Sequence, residues 1–459
     1  MSIIDDSVCQ LKILSGNVDD IAIFNMLNAK LANLVSLAGM RFKQFSNGND
    51  RTISYYGINF MGSGEKKDYT VDNINYYLLP FVKNEFQKKI DSYKDNFYRL
   101  NIENETDKRK KDKALQQYDN IRVENFELEE PNYTGLYAEA LQYNLIGFGC
   151  IFIRISEFGD YIENITSGNQ SKKEVYQKLK NIFEGKISAP IIGGNSKRIT
   201  IENMPVQCLL YSDFENFINP KTKKAYIASL KTGVARRSFI YMNTKQNPLS
   251  YPLRHYEMEE AINSLKNISI TYKNIFNYLL NKTNKTLLFS QESDDLLYQY
   301  QCDCIDYFNK YKNKDIITRN DVKESFWKIQ KLSCVYSLIL NTESNLVNPE
   351  YVQMAINFYN QIKNGLETVI NTRELDVVEK FAKYFYDNKE KEIITTMELR
   401  KLNYINPIKF SKEFDLILNE IQDELSNNYK CNLYNMKSQK NTKAYKVKVE
   451  KEDNLTCLI

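Results

Sequence analysis

The apolar run RTISYYGINF, residues 51–60, leads into the turn MGSG, two lysines and the start of a helical periodicity. A strand that is apolar on both faces belongs inside a sheet covered on both sides, which implies parallel strands joined by helices. The residues that follow narrow the possibilities further. Successive backbone N–H groups in a glycine-rich turn converge on phosphate, and one lysine adds charge. In GINFMGSGEKKDYTVDNI, Gly62, Ser63 and Gly64 supply the turn and Lys67 the phosphate lysine, while Lys66 stands where a glycine is usual. A left-handed Lys66 would cost roughly 1–2 kcal/mol, which a fold tolerates. Asp68 occupies the position of the usual magnesium-binding hydroxyl, and Thr70 is its substitute two residues on. A frame on Gly57 and Gly62 fails, because Ser63 then replaces the lysine. The rival explanation is a glycine turn ahead of an ordinary helix; the strand before it and the helix after it count against that.

Three later strand ends carry polar groups in the same way. CIFIRISEFGDYI ends in Glu157, a candidate for orienting an attacking water, with Ser156 where an aspartate would hold metal and Asp160 one turn on. VQCLLYSDFENF ends in Ser212 and Asp213, placed to sense a γ-phosphate. In TGVARRSFIYMN, Arg236 and Arg237 directly precede a strand and are candidates for completing a neighbouring subunit's site. Taken singly, each has a plain alternative: a strand ending in a polar loop, or arginines pairing with surface acids.

The organisation expected is an N-terminal helical segment over 1–50, an α/β core with a parallel sheet over 51–248, a helical domain without strands over 249–388, and a small helix–helix–strand pair module over 389–459. The basic run Lys108–Lys113 reads as a solvated helix face. A formal net charge of +4 does not by itself indicate a nucleic-acid protein. Eight cysteines without a CxxC pair read as buried reduced thiols, and a single histidine, His255, excludes a histidine-rich zinc site. No signal peptide opens the chain and no apolar run approaches the ~20 residues of a membrane span, so a soluble cytoplasmic protein is expected.

The runs SYYGINFMGSGEKKDYTVDNI, TGLYAEALQYNLIGFGCIFIRISEFGDYI and TGVARRSFIYMN, in that order, resemble a family of ATPases of uncharacterised function carried in phage and plasmid replication modules and often joined to a primase. The resemblance spans roughly residues 40–370. It implies a RecA-like P-loop ATPase core related to replicative helicases, while the helices and strand pair of 389–459 themselves read as a small winged-helix-like module. It also implies ATP and Mg2+ as cofactors, and assembly as a homo-oligomeric ring on single-stranded DNA beside a primase, in a host cell's cytoplasm. By the same resemblance Lys67 is the phosphate lysine, Glu157 the acid after the strand, and Arg237 or Arg236 the arginine finger. Lys66, Asp68 and Ser156 are departures that bear on hydrolysis more than on binding, and a non-hydrolysing scaffold or loader is the alternative.

Overall fold

The computed structural model describes the chain except residues 1, 17, 45–47, 63–64, 120–125, 167–173, 176–177, 180, 190–199, 215–225, 227–236, 244–252, 312–315, 372–376, 403, 406–409, 438–442 and 450–459. Two compact units emerge, Met1–Thr372 and Arg373–Ile459.

In the first unit the described elements run α1 (Ile3–Ser15), α2 (Asp20–Leu37), β1 (Arg41–Lys43), β2 (Asp50–Thr52), β3 (Tyr56–Met61), α3 (Lys67–Asn73), α4 (Pro80–Tyr98), α5 (Lys108–Asp119), β4 (Leu128–Glu129), α6 (Tyr133–Leu145), β5 (Ile151–Ile155), α7 (Phe158–Thr166), β6 (Val206–Asp213) and β7 (Ser238–Met242). They continue as α8 (His255–Asn281), β8 (Thr286–Phe289), α9 (Gln291–Lys310), α10 (Ile316–Leu340), β9 (Leu346–Val347), α11 (Pro349–Ile362) and α12 (Gly365–Asn371). Five of the strands form an all-parallel sheet in the order β4-β5-β6-β3-β7, so the protein is α/β as expected. All six residues of β3 are buried, as are the apolar residues of β6, which is what a sheet with helices on both faces demands.

The expected boundaries at 50 and 248 are absent. Asp19 caps α2, accepting a hydrogen bond from the N–H of Ile21 at 2.8 Å, and the helix then runs buried along nearly its whole length against β3 and β6. Its buried polar side chains find partners inside the core: Asn25 donates to Asn59, Asn28 to Tyr336 and Lys30 to Glu127. Helices α10 and α11 complete the same core, so residues 1–372 share one interior. Gly57 leaves room for this packing: a Cβ there would come within 3.2 Å of Asn25 Oδ1 on α2. The helical region also contains strands that the periodicity did not show. The short strands β8 and β9 join β1 and β2 in a four-stranded sheet, β2-β1-β8-β9.

The second unit comprises α13 (Val377–Asp387), β10 (Ile394–Thr395), α14 (Thr396–Lys401), α15 (Phe410–Tyr429), β11 (Cys431–Lys437) and β12 (Lys443–Val449). Its antiparallel sheet, β10-β12-β11, closes a separate core around Phe381, Phe385, Phe414 and Tyr445. The expected helix–helix–strand pair is present; α13 and β10 extend it at its start. The sequence of α15 holds five carboxylates against one lysine, so this helix is acidic.

Among the described residues no helix is long and apolar enough to cross a membrane. Five of the cysteines are buried, burial pushes the Cys150 thiol up to about 12, and Cys457 lies outside the described residues.

Candidate functional site

In the parallel sheet the chain leaves β3 towards β4 on one side, whereas from β6 it passes over to β7 on the other. Adjacent strands whose connections diverge open a crevice at their carboxyl ends, the place where open α/β sheets bind ligands. In this fold that crevice lies between Met61 and Asp213, which are register partners.

Lys67, the first residue of α3, reaches across the crevice and donates to Asp213. Both side chains are mostly shielded, at 11% and 25% exposure, which makes this pair stronger than a surface ion pair. Glu157, just after β5, stands exposed beside them. Partial desolvation pushes its carboxyl above the usual range, Asp213, Asp160 and Asp68 add to the rise, and Lys67 opposes it. Ser212 is buried and its Oγ accepts the N–H of Gly159 at 3.2 Å, tying the end of β6 to the start of α7.

A second set of bonds fixes the rim. Arg154, at the fourth position of β5, donates Nε to Tyr211 Oη at 2.7 Å, Nη2 to Asp68 at 2.6 Å and Nη1 to Asp72 at 3.0 Å. Asp68 also accepts from Tyr211 Oη at 2.5 Å. Residues 68 and 72 are one helical turn apart, so one guanidinium ties a face of α3 to two strands. Sequence reasoning missed Arg154, Tyr211, Asp72 and the pairing role of Asp213. The available signal was a lone arginine inside the apolar strand CIFIRIS, which has to find acids.

Several expectations change. Lys66 has φ −70°, so no left-handed strain arises, and it is exposed. Thr70 does not replace the magnesium hydroxyl: it is buried, donates to the Lys66 carbonyl at 2.8 Å and meets Ser15 Oγ at 2.7 Å on α1. Asp68 is committed to Arg154 and Tyr211, and Asp160 is an exposed residue of α7. Among the described residues no group of three or more acidic, histidine or cysteine side chains suits a metal ion. Gly62 ends the strand segment, but Ser63 and Gly64 lie outside the described residues.

Arg236 also lies outside them. Arg237 directly precedes β7, whose Ser238 pairs with Tyr56 at the start of β3. It therefore sits at the amino end of the sheet, while Lys67 lies beyond the carboxyl end. At about 3.3 Å per residue, β3 alone separates those ends by roughly 17 Å. Its guanidinium lies 5.8 Å from the centroid of the Phe183 ring and lines a cavity of its own chain.

No protein-family model matches the chain, and no curated protein matches it.

Proposed function

We propose that the first unit is a RecA-like P-loop ATPase core that binds ATP in the crevice between β3 and β6. The observation that carries this reading is the Lys67–Asp213 pair at the divergence of the two strands, with Glu157 beside it. An incoming triphosphate competes with Asp213 for Lys67, which then binds phosphate oxygens by charge-assisted hydrogen bonds. Glu157, its carboxyl raised, holds the attacking water and takes up its proton. Ser212, anchored to the start of α7, fixes the distance between β6 and that acid. Arg154 holds α3 against the sheet through Asp68 and Asp72, so that Lys67 stays aimed at the crevice.

The wider reading is a helicase-type ATPase of a phage or mobile-element replication module, acting in the cytoplasm as a homo-oligomeric ring on single-stranded DNA beside a primase. Arg236 supplies the finger from the neighbouring protomer. The second unit is the winged-helix-like module. Its acidic α15 is unsuited to lying against phosphates, whereas Lys443, Lys446 and Lys448 of β12 suit backbone contacts.

A second reading, a non-hydrolysing nucleotide-binding scaffold or loader, draws support from Thr70, which is buried and bonded to the Lys66 carbonyl and Ser15, and from Asp68, one oxygen of which is tied to Arg154 and Tyr211. An ATPase assay with and without single-stranded DNA, run beside nucleotide binding, separates the two. DNA-stimulated turnover supports the helicase, binding without turnover the scaffold, and no binding of ATP overturns both.

A further inference from the structure

We infer that the cavity at the amino end of the parallel sheet is a second ligand site, shaped for one nucleotide unit: a phosphate joined to a planar base. This does not rest on the carboxyl-end reading. The cavity measures about 320 Å³ and is walled by Arg51, Phe183, Glu184, Arg237, Trp327 and Lys331. That is the lower end of the range for small-ligand pockets.

Two cations converge on one ring and a third lies at the rim. The Lys331 ammonium sits 3.8 Å from the Phe183 centroid and donates to the Phe183 carbonyl at 3.0 Å. Arg237 lies over the same ring, and Arg51 closes the rim through Glu184 at 3.5 Å. Among the described residues of the lining, Glu184 and Glu324 stand with Arg51, Arg237 and Lys331. Lys331 is 5% exposed, and a buried ammonium without a carboxylate in contact is costly unless an anion meets it. Burial lowers its ammonium to about 8; Arg237 and Arg51 push the same way, Glu184 and Cys334 the other. A phosphate supplies the missing charge. Trp327, 37% exposed, offers the open aromatic face on which a base stacks beside that phosphate. A further cavity, about 480 Å³ among α9, α10, α11 and α12, sets Lys363 with Asp303 and Glu367.

Trp327 is the only tryptophan of the chain, so its emission reports on this cavity. The full-length protein is titrated with AMP, inorganic phosphate, adenosine and a short oligothymidylate. A saturable change with AMP or the oligonucleotide is expected, with phosphate and adenosine each weaker by at least about tenfold. Whichever of AMP and the strand binds tighter identifies the source of the nucleotide unit. Lys331→Met should weaken AMP by about tenfold or more and Arg51→Gln, at the rim, by about threefold, while Lys67→Ala stays within about twofold. The last comparison keeps failure here distinct from failure at the carboxyl end. No emission change up to about 10 mM of either nucleotide ligand, phosphate binding as tightly as AMP, or both cavity variants behaving as wild type would overturn the site.

Discussion

The two ends of one parallel sheet hold their cations in opposite ways. At the carboxyl end Lys67 meets Asp213, and Arg154 meets Asp68 and Asp72. At the amino end Lys331 has only a carbonyl and a ring in contact. A shielded cation matched by carboxylates braces the fold, and removing it takes the shared partner from Asp68 and Asp72. An unmatched buried cation braces nothing that an apolar side chain could not replace. Its presence is better explained by what binds it. The comparison separates charges that hold structure from charges that await a ligand, and substitutions at the two ends test that separation.

The largest expected effect is on stability at the carboxyl end. Arg154→Met removes three charge-assisted hydrogen bonds, one of them to the buried Tyr211, and should cost about 2 kcal/mol in urea unfolding. Lys331→Met, the matching change at the amino end, should be neutral or stabilising by about 1 kcal/mol. Equal losses would erase the contrast. Next comes Glu157→Gln, which should lower ATP turnover by roughly 10²-fold while the nucleotide's Kd stays within about twofold. Loss of both together would make Glu157 a binding residue.

A smaller effect is read from pH. Lys331 binds its proton less well folded, near 8, than unfolded, near 10.5. Below about 8 both states carry the proton and the full penalty is present. Between those values the unfolded chain holds more protons, so stability gained from this group rises with pH until the penalty is gone. Glu184, Glu324, Arg51, Arg237 and Cys334 face the same ammonium. Any advantage of Lys331→Met over wild type in thermal melts should therefore shrink as pH is raised from 8 to 10.5, and an advantage independent of pH would refute the unmatched ammonium. Smallest of all, Arg51→Gln breaks a rim pair with Glu184 in which both side chains are about a third exposed, and should shift stability by less than about 1 kcal/mol.

Much of the carboxyl end was legible in the sequence, because each strand announces itself by an apolar run and its polar end follows directly. GINFMGSGEKK, FIRISE and LLYSD each place their groups within a few residues of a strand terminus. Topology then brings Lys67, Glu157, Ser212 and Asp213 together. The fates of Thr70 and Asp68 were not legible, since Ser15 and Arg154, which engage them, lie 55 and 86 residues away. The second sheet was missed for a related reason: β8 and β9 are short, and β8 pairs with β1 from the far side of the unit's sequence. The amino-end cavity had no local signature at all. Arg51, Phe183, Arg237 and Lys331 come from four separate elements, and Arg237 read as an outward finger only because a strand follows it.

The central claim is that Lys67 binds phosphate in the crevice between β3 and β6. It is tested most directly by equilibrium titration with a fluorescent ATP analogue, carried out in the Lys331→Met background so that the carboxyl end alone reports. Saturable binding is expected there, weakened by at least about tenfold when Lys67→Ala is added. Absence of saturable binding up to about 1 mM, or affinity unchanged by Lys67→Ala, would contradict it.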